Sequence, residues 1–281
     1  MLAAAVARAK DGDADAVEIV VRALQHDIFR LALRMTAHVE DAEDVTQEVL
    51  IKVITRLDSF RGESSIRTWA YRIAVRHMLD RRRSRVEAAE LDFARFGADL
   101  LDGLSAAPEP DPLLIEEVKR GCTLAMLCCL DRDQRLAFVL SDVFDLSHSE
   151  AADLCSVDAA TFRQRLSRAR RSLEAFTRSY CGLVNPGAPC QCDRRVRRAE
   201  ELGRLHRTDP ALSRWPVEEI DSAVRNMESL HDAASLLRTH PLYAAPANVL
   251  ERVRDAIAVT GWASEPGRIR VTFPVRGHLK R

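Results

Sequence analysis

Apolar residues return every three or four positions along most of this chain. Val17, Val20, Leu24, Ile28, Leu31 and Met35 form one stripe and Ala42, Val45, Val49, Val53 and Leu57 a second, the mark of two amphipathic helices. Phe60 to Ser65 reads as a loop, after which Ile66, Trp69, Ile73 and His77 mark the inner face of a third helix. Val118, Cys122, Ala125 and Cys129 continue the period, followed by Leu136, Val139 or Leu140, and Val143. Ser147 with Glu150 forms a capping box ahead of a short helix whose inner face holds Ala151 and Leu154. A break at Cys155, Ser156 and Val157 precedes Asp158, an apt N-cap. Phe162, Leu166, Ala169, Leu173 and Phe176 then predict a long amphipathic helix. Farther on, Val224, Met227, Leu230, His231, Ala234 and Leu237 suggest another, and residues 249–259 one more, the two separated by Pro241 and Pro246. The expected fold class is all-α.

Composition narrows the class. At 281 residues the chain is long enough for roughly two domains. With 47% hydrophobic and 30% charged residues it is neither disordered nor membranous, and no apolar run is long enough to span a bilayer. Seven cysteines, an odd number, behind an N-terminus without a secretory signal disfavour a disulfide framework, so reduced thiols and a cytoplasmic location are expected. No phosphate-cradling Gly-rich loop, His-Glu-x-x-His or nucleophile elbow occurs, which argues against an enzyme.

Charge changes the picture most. Lysine plus arginine, 42, equals aspartate plus glutamate, 42, yet the balance hides opposed blocks. Glu40, Asp41, Glu43, Asp44 and Glu48 form an acidic cluster near the start of the second helix, which by itself reads equally well as a surface helix whose dipole is satisfied. Residues 61–85 carry eight arginines against two acids, with Phe60, Trp69 and Tyr71 among them. Basic groups beside aromatics suit single-stranded nucleic acid, although a core tryptophan with a solvated arginine face gives the same pattern. Residues 86–117 are acidic apart from Arg95, and the proline-containing stretch 105–112 is expected to be extended, the best interdomain linker in the chain. On the last long helix Arg163, Arg165, Arg168, Arg170, Arg171 and Arg178 oppose only Glu174. A short capped helix, a three-residue turn and a second helix opening with Thr161, Arg163, Gln164 and Arg165 has helix-turn-helix geometry; the alternative is a generic helical hairpin with a basic surface.

Two stretches now resemble one family. Asp41-Ala-Glu-Asp-Val-Thr-Gln-Glu-Val49, Phe60-Arg-Gly-Glu-Ser64 and Trp69-Ala-Tyr-Arg-Ile-Ala74, with Asp80 and the three arginines after it, resemble region 2 of the sigma-70 family in its extracytoplasmic-function (ECF) group. Asp133-Gln-Arg-Leu-Ala-Phe-Val-Leu140, Asp142-Val-Phe144, Leu146-Ser147 and Arg165-Leu-Ser-Arg-Ala-Arg-Arg171 resemble region 4 of the same group. The resemblance implies a transcription initiation factor with core RNA polymerase and promoter DNA as partners. It assigns core-polymerase binding to Asp41, Asp44, Gln47, Glu48 and Lys52. It assigns capture of unpaired bases of the −10 element to Phe60, Arg61, Ser64, Trp69, Arg72, Arg76 and His77. Thr161, Arg163, Gln164, Arg165, Ser167, Arg168 and Arg171 would read the −35 duplex, and the acidic linker would thread through polymerase. Two positions depart from the family pattern: Arg76 stands where asparagine is frequent, and Ser156 replaces a common turn glycine.

The implied organisation is region 2 over residues 14–85, linker 86–112, region 4 over 113–178, a helical extension over 179–265 and a disordered tail over 266–281. At the junction Cys181, Cys190 and Cys192 suggest a zinc or thiol redox site that His206 would complete, set against the plainer reading of buried free cysteines. No other cofactor is expected. Cys122, Cys128, Cys129 and Cys155 fit core positions, and His206, His231 and His240 form no tight ligand motif. Arg194, Arg195, Arg197, Arg198, Arg204 and Arg207 read as a solvated or DNA-proximal surface. Whether an anti-sigma protein restrains the chain, or its extension does so in cis, the sequence leaves open. The rival class is a helix-turn-helix regulator that never touches polymerase, which would leave the region 2 match unused.

Overall fold

In the computed structural model the described residues are 1–81, 90–213 and 233–259. The arginines at 82, 83 and 85, the helix expected through Val224, Met227, Leu230 and His231, and the tail from 266 lie outside them. Among the described residues there are twelve α-helices and no strand, only an isolated bridge between Cys181 and Cys190. The all-α expectation holds.

The first bundle is α1 (Leu2–Lys10), α2 (Ala14–Thr36), α3 (Val39–Thr55) and α4 (Ile66–Asp80). Helix α2 is its axis: Val20, Leu24, Ile28, Phe29, Leu31 and Leu33 are all buried, so apolar residues surround it on nearly every side. Asp13, Ser65 and Asp92 each cap a helix by accepting a main-chain N–H from three residues on. In α4 the buried stripe is Ile66, Ala70, Ala74, His77 and Met78, while Trp69 and Ile73 are half-buried. The expected register is therefore rotated by about one residue, because small alanines let α4 approach its neighbours closely.

The acidic linker is not wholly extended. It contains α5 (Phe93–Leu101), whose Phe96 and Leu100 are buried; Phe96 stacks on Phe176 at 5.4 Å. Apolar spacing at 93, 96, 97 and 100 overrides the acidic composition here. Residues 102–111 are irregular, as their prolines require.

Next come α6 (Pro112–Cys128), α7 (Arg132–Phe138), a π turn (Val139–Val143), α8 (His148–Leu154) and α9 (Ala159–Tyr180). The π turn explains the ambiguity between Val139 and Leu140. One extra residue per turn lets both be fully buried. The extension contributes α10 (Cys192–Glu201), α11 (Ala233–Arg238) and α12 (Asn248–Val259).

The two bundles share a core. Arg135, 2% exposed, donates to Leu127 O at 2.9 Å and Leu130 O at 3.0 Å, and also to Met35 O of α2. Arg132 likewise donates to Met78 O and Leu79 O, both at 3.2 Å, satisfying carbonyls at the end of α4. Helix α6 holds the extension with buried charge: the Glu117 carboxylate accepts from Leu212 N and Ser213 N, and Arg120 donates to Leu212 O at 2.7 Å.

Candidate polymerase and promoter interfaces

Three surfaces carry the residues singled out above. On α3 the spacing of Asp44, Gln47, Glu48 and Lys52 puts them on one face, and all four are half-buried. Asp41 sits at the inner edge, 9% exposed. His77 from α4 completes this face: Lys52 Nζ donates to His77 Nδ1 at 2.5 Å, and Glu48 Oε2 lies 3.0 Å from His77 Nε2. The imidazole beside it holds the Glu48 carboxyl below its ordinary range, and partial burial draws the Lys52 ammonium down. His77 is thus enclosed between α3 and α4 rather than presented beside Arg72 and Arg76.

The second surface is the loop before α4. Phe60 and Trp69 form a tilted pair with centroids 5.5 Å apart, a platform on which bases could stack. Lys10 of α1 joins it, its Nζ 5.7 Å above the Phe60 ring and donating to Phe60 O at 2.5 Å. Lys10 lies outside every stripe and charge block described above and reaches the loop because α1 packs against residues 57–59. Arg61 is exposed and Ser64 half-buried. Arg76, 3.9 Å from Asp80, is 85% exposed, and Arg72 is ion-paired with Asp153 of α8.

The third surface is α9. Ser147 and Glu150 form the expected capping box. The turn after α8 closes with Ser156 N donating to Asp153 O and Val157 N to Ala152 O, both at 3.1 Å, and Ser156 stands at φ 55°. This is a Schellman closure in which the left-handed residue is serine where glycine would be unstrained. Asp158 accepts from the main chain of Ala160 and Thr161 and from the Thr161 hydroxyl at 2.6 Å, so Thr161 serves the cap in this conformation. Phe162, Leu166, Ala169, Leu173 and Phe176 are buried as predicted, and Arg163, Gln164, Ser167, Arg168 and Arg171 face solvent. Arg165 is ion-paired with Asp133 at 3.1 Å. Between α7, α9 and the end of α4 lies a cleft of about 420 Å³ lined by Arg132, Arg165 and Arg168 together with Asp131 and Asp133.

The junction cysteines are free thiols. Among the described residues no group of three or more His, Cys, Asp or Glu is arranged to hold a metal ion, so Cys181, Cys190, Cys192 and the exposed His206 form no ligand set in this structure. Burial pushes Cys190 up to about 11 and Cys192 up to about 12. Burial together with Cys192, Cys190 and Cys181 raises Cys122 as well, placing that α6 residue beside the junction.

Part of the basic stretch after Cys192 turns onto the acidic linker, while Arg194 and Arg197 remain exposed. Arg195, 4% exposed, donates to Asp102 O at 2.6 Å and pairs with Asp99. Arg204 grips Asp99 bidentately at 2.6 and 3.0 Å, Arg198 pairs with Asp102, and Arg207 with Glu109 at 2.7 Å. The acidic linker and the basic stretch neutralise each other, a pairing that no local periodicity announces.

Sequence comparison fits this geometry. Residues 20–87 match the family model for Sigma-70 region 2, and residues 120–173 that for Sigma-70, region 4. The chain is 32% identical over 177 residues to the ECF RNA polymerase sigma-E factor of Escherichia coli strain K12, covering 60% of this chain and 90% of that protein. It is 30% identical over 176 residues to the RNA polymerase sigma-H factor of Pseudomonas aeruginosa, with the same coverage. Among solved structures it is similar to CnrH in complex with the cytosolic domain of CnrY (24% identity, 61% of this chain and 94% of that one, TM-score 0.43). It is also similar to the sigma factor RpoE in complex with the anti-sigma factor NepR from Bartonella quintana (22% identity, 58% and 92%, TM-score 0.36). The chain belongs to the sigma-70 family of RNA polymerase sigma factors, in its extracytoplasmic-function group.

Proposed function

We propose a division of labour within a transcription initiation factor that binds core RNA polymerase and promoter DNA. Residues 14–85 would dock polymerase through Asp44, Gln47, Glu48 and Lys52 of α3. They would capture unpaired −10 bases on Phe60 and Trp69, with Lys10, Arg61 and Arg76 on phosphates. Residues 113–178 would enter the −35 major groove with the N-terminal half of α9. Holding bases outside the duplex favours melting because the open state is bound better than the closed one. No bond is made or broken, so the reading is non-enzymatic, and it places the protein with polymerase in the cytoplasm. No described helix is long and apolar enough to cross a membrane.

The observation that carries this reading is the Ser147-capped α8, its left-handed turn and the exposed Arg163, Gln164, Ser167 and Arg168 beyond it, in one chain with the α3 face. The packed conformation cannot serve both promoter elements. They lie about 25 base pairs apart, roughly 85 Å at about 3.4 Å per base pair, while Arg132 and Arg72 hold the two bundles together. The bundles therefore separate on polymerase. Transcription from a cognate promoter with purified core polymerase tests the function. Absence of a holoenzyme and of any promoter-dependent transcript, with the extension docked or displaced, would leave only the helix-turn-helix regulator.

A further inference from the structure

We infer that the chain carries its own competitor for polymerase: α12 docks on the α3 face, so that α12 docking and core-polymerase binding exclude one another. This rests on the reading of that face as the polymerase-binding surface. Arg252 pairs with Asp44 at 2.8 Å, and its carbonyl accepts from Gln47 Nε2 at 3.3 Å. Two of the five residues assigned to polymerase are thereby occupied by one residue of the extension. Beneath them runs an apolar seam: Val249 is fully buried and Val253 is 1% exposed, with Leu250 and Ile257 alongside, all joined to the core that α2 and α3 share. Arg254 extends the contact to Glu18 of α2.

The approach to α12 is anchored independently. Arg30 donates to Tyr243 O at 3.1 Å, Ala245 N donates to His26 Nδ1 at 2.9 Å, and His240 is buried between Thr123 and the Tyr243 hydroxyl. The seam therefore continues into a segment held on α2 and α6.

The chemistry fits competition. A polymerase surface that meets Asp44 and Glu48 must itself be basic with apolar support, and α12 presents the same combination in Arg252, Arg254, Val249 and Val253. The extension also holds the second acidic element, since Arg195, Arg198, Arg204 and Arg207 take up Asp99, Asp102 and Glu109 of the linker. Both acidic surfaces available to polymerase are thus engaged by one segment of the same chain. An apparent dissociation constant is the intrinsic one divided by the fraction open, so a docked population of 99% weakens it about 100-fold.

The test uses the full chain. Dissociation constants for core polymerase are measured for the wild type, for Val253→Asp, which puts a charge into the seam, and for Arg252→Glu and Arg254→Glu, which reverse surface charges without touching the core. Expected are a gain in affinity of about tenfold or more for Val253→Asp and a smaller gain for the charge reversals. A synthetic peptide spanning residues 246–259, added to Val253→Asp, should weaken binding again. Equal affinity for all four proteins overturns the competition while leaving the α3 assignment intact. Failure of every form to bind polymerase overturns the assignment itself. Circular dichroism melting confirms that each variant is folded, and the two charge reversals carry the test should Val253→Asp not fold.

Discussion

Glu117→Ala should detach residues 205–213 while leaving the first bundle folded. The carboxylate is 5% exposed and accepts three main-chain contacts: from Leu212 N at 3.0 and 2.9 Å and from Ser213 N at 2.6 Å. Truncation leaves two buried N–H groups without an acceptor, at about 1–3 kcal/mol each. It also removes a charge close to the fully buried Arg120, which retains Glu116 at 3.0 Å. The expected cost is about 4 kcal/mol, roughly a thousandfold in the local docking equilibrium. Little else can make up that loss. Among the described residues the small cluster beneath this segment is Leu114, Val196 and Leu205, with Leu212 at the edge of the main core, and its partly exposed ion pairs are each worth up to about 1 kcal/mol. Native-state hydrogen exchange gives the readout. Amides of 205–213 should lose protection by about two to three orders of magnitude, with α2 and α3 unchanged. Glu117→Gln, which keeps one acceptor oxygen, should show about half the effect in kcal/mol. Undiminished protection of Leu212 and Ser213 in Glu117→Ala, or loss of protection in α2 at the same time, would refute the anchoring role.

Ser156→Gly should stabilise the α8–α9 unit by about 1 kcal/mol, since the left-handed turn penalises a β-carbon, and thermal unfolding should shift upward by a few degrees; an unchanged or lower midpoint would contradict the strain. Arg165→Ala should reduce discrimination for the −35 element by about 1–3 kcal/mol if its guanidinium leaves Asp133 for a base, whereas Arg178→Ala, at the far end of the same helix, should leave the ratio of specific to nonspecific affinity unchanged. Cys190 and Cys192, held up to about 11 and about 12 by burial, should alkylate at pH 7.5 far more slowly in the folded chain than in denaturant; fast labelling, or stoichiometric metal in protein purified under reducing conditions, would instead favour a thiolate site.

Local chemistry was legible in the sequence wherever one element settles its own geometry. The stripes of α2, α3 and α9, the Ser147–Glu150 box, the Asp158 cap and the awkward Ser156 all follow from spacing and residue type. Where two elements must meet, periodicity is silent. The α4 register departs from the expected one because Trp69 offers far more apolar area than Ala70 and Ala74, yet the alanines set how closely the helices pack. Glu117 and Arg120 look like solvent-facing charges in sequence and become buried because Leu212 and Ser213, more than ninety residues later, turn polar main-chain groups toward them. Helix α5 was concealed by the acidic composition of its segment, although Phe93, Phe96 and Leu100 carry the helical period.

Segregated charge would let one chain hold opposed binding surfaces with part of each neutralised internally. Acidic α3 and the acidic linker would repel DNA, and the arginines of α9 would bind it anywhere. Arg72 on Asp153, Arg165 on Asp133 and Arg170 on Asp142 at 2.5 Å place part of that positive charge against carboxylates of the chain itself. The linker and α3 carboxylates are met by arginines of the extension. Although Asp142 and Arg195 are buried, the pairs of Arg72, Arg165 and Arg252 are exposed enough to exchange for an external partner at small net cost. The buried anchors Arg135 and Glu117 are not, so opening proceeds by exchanging surface ion pairs first, and higher salt should loosen the α12 contact before it disturbs either bundle.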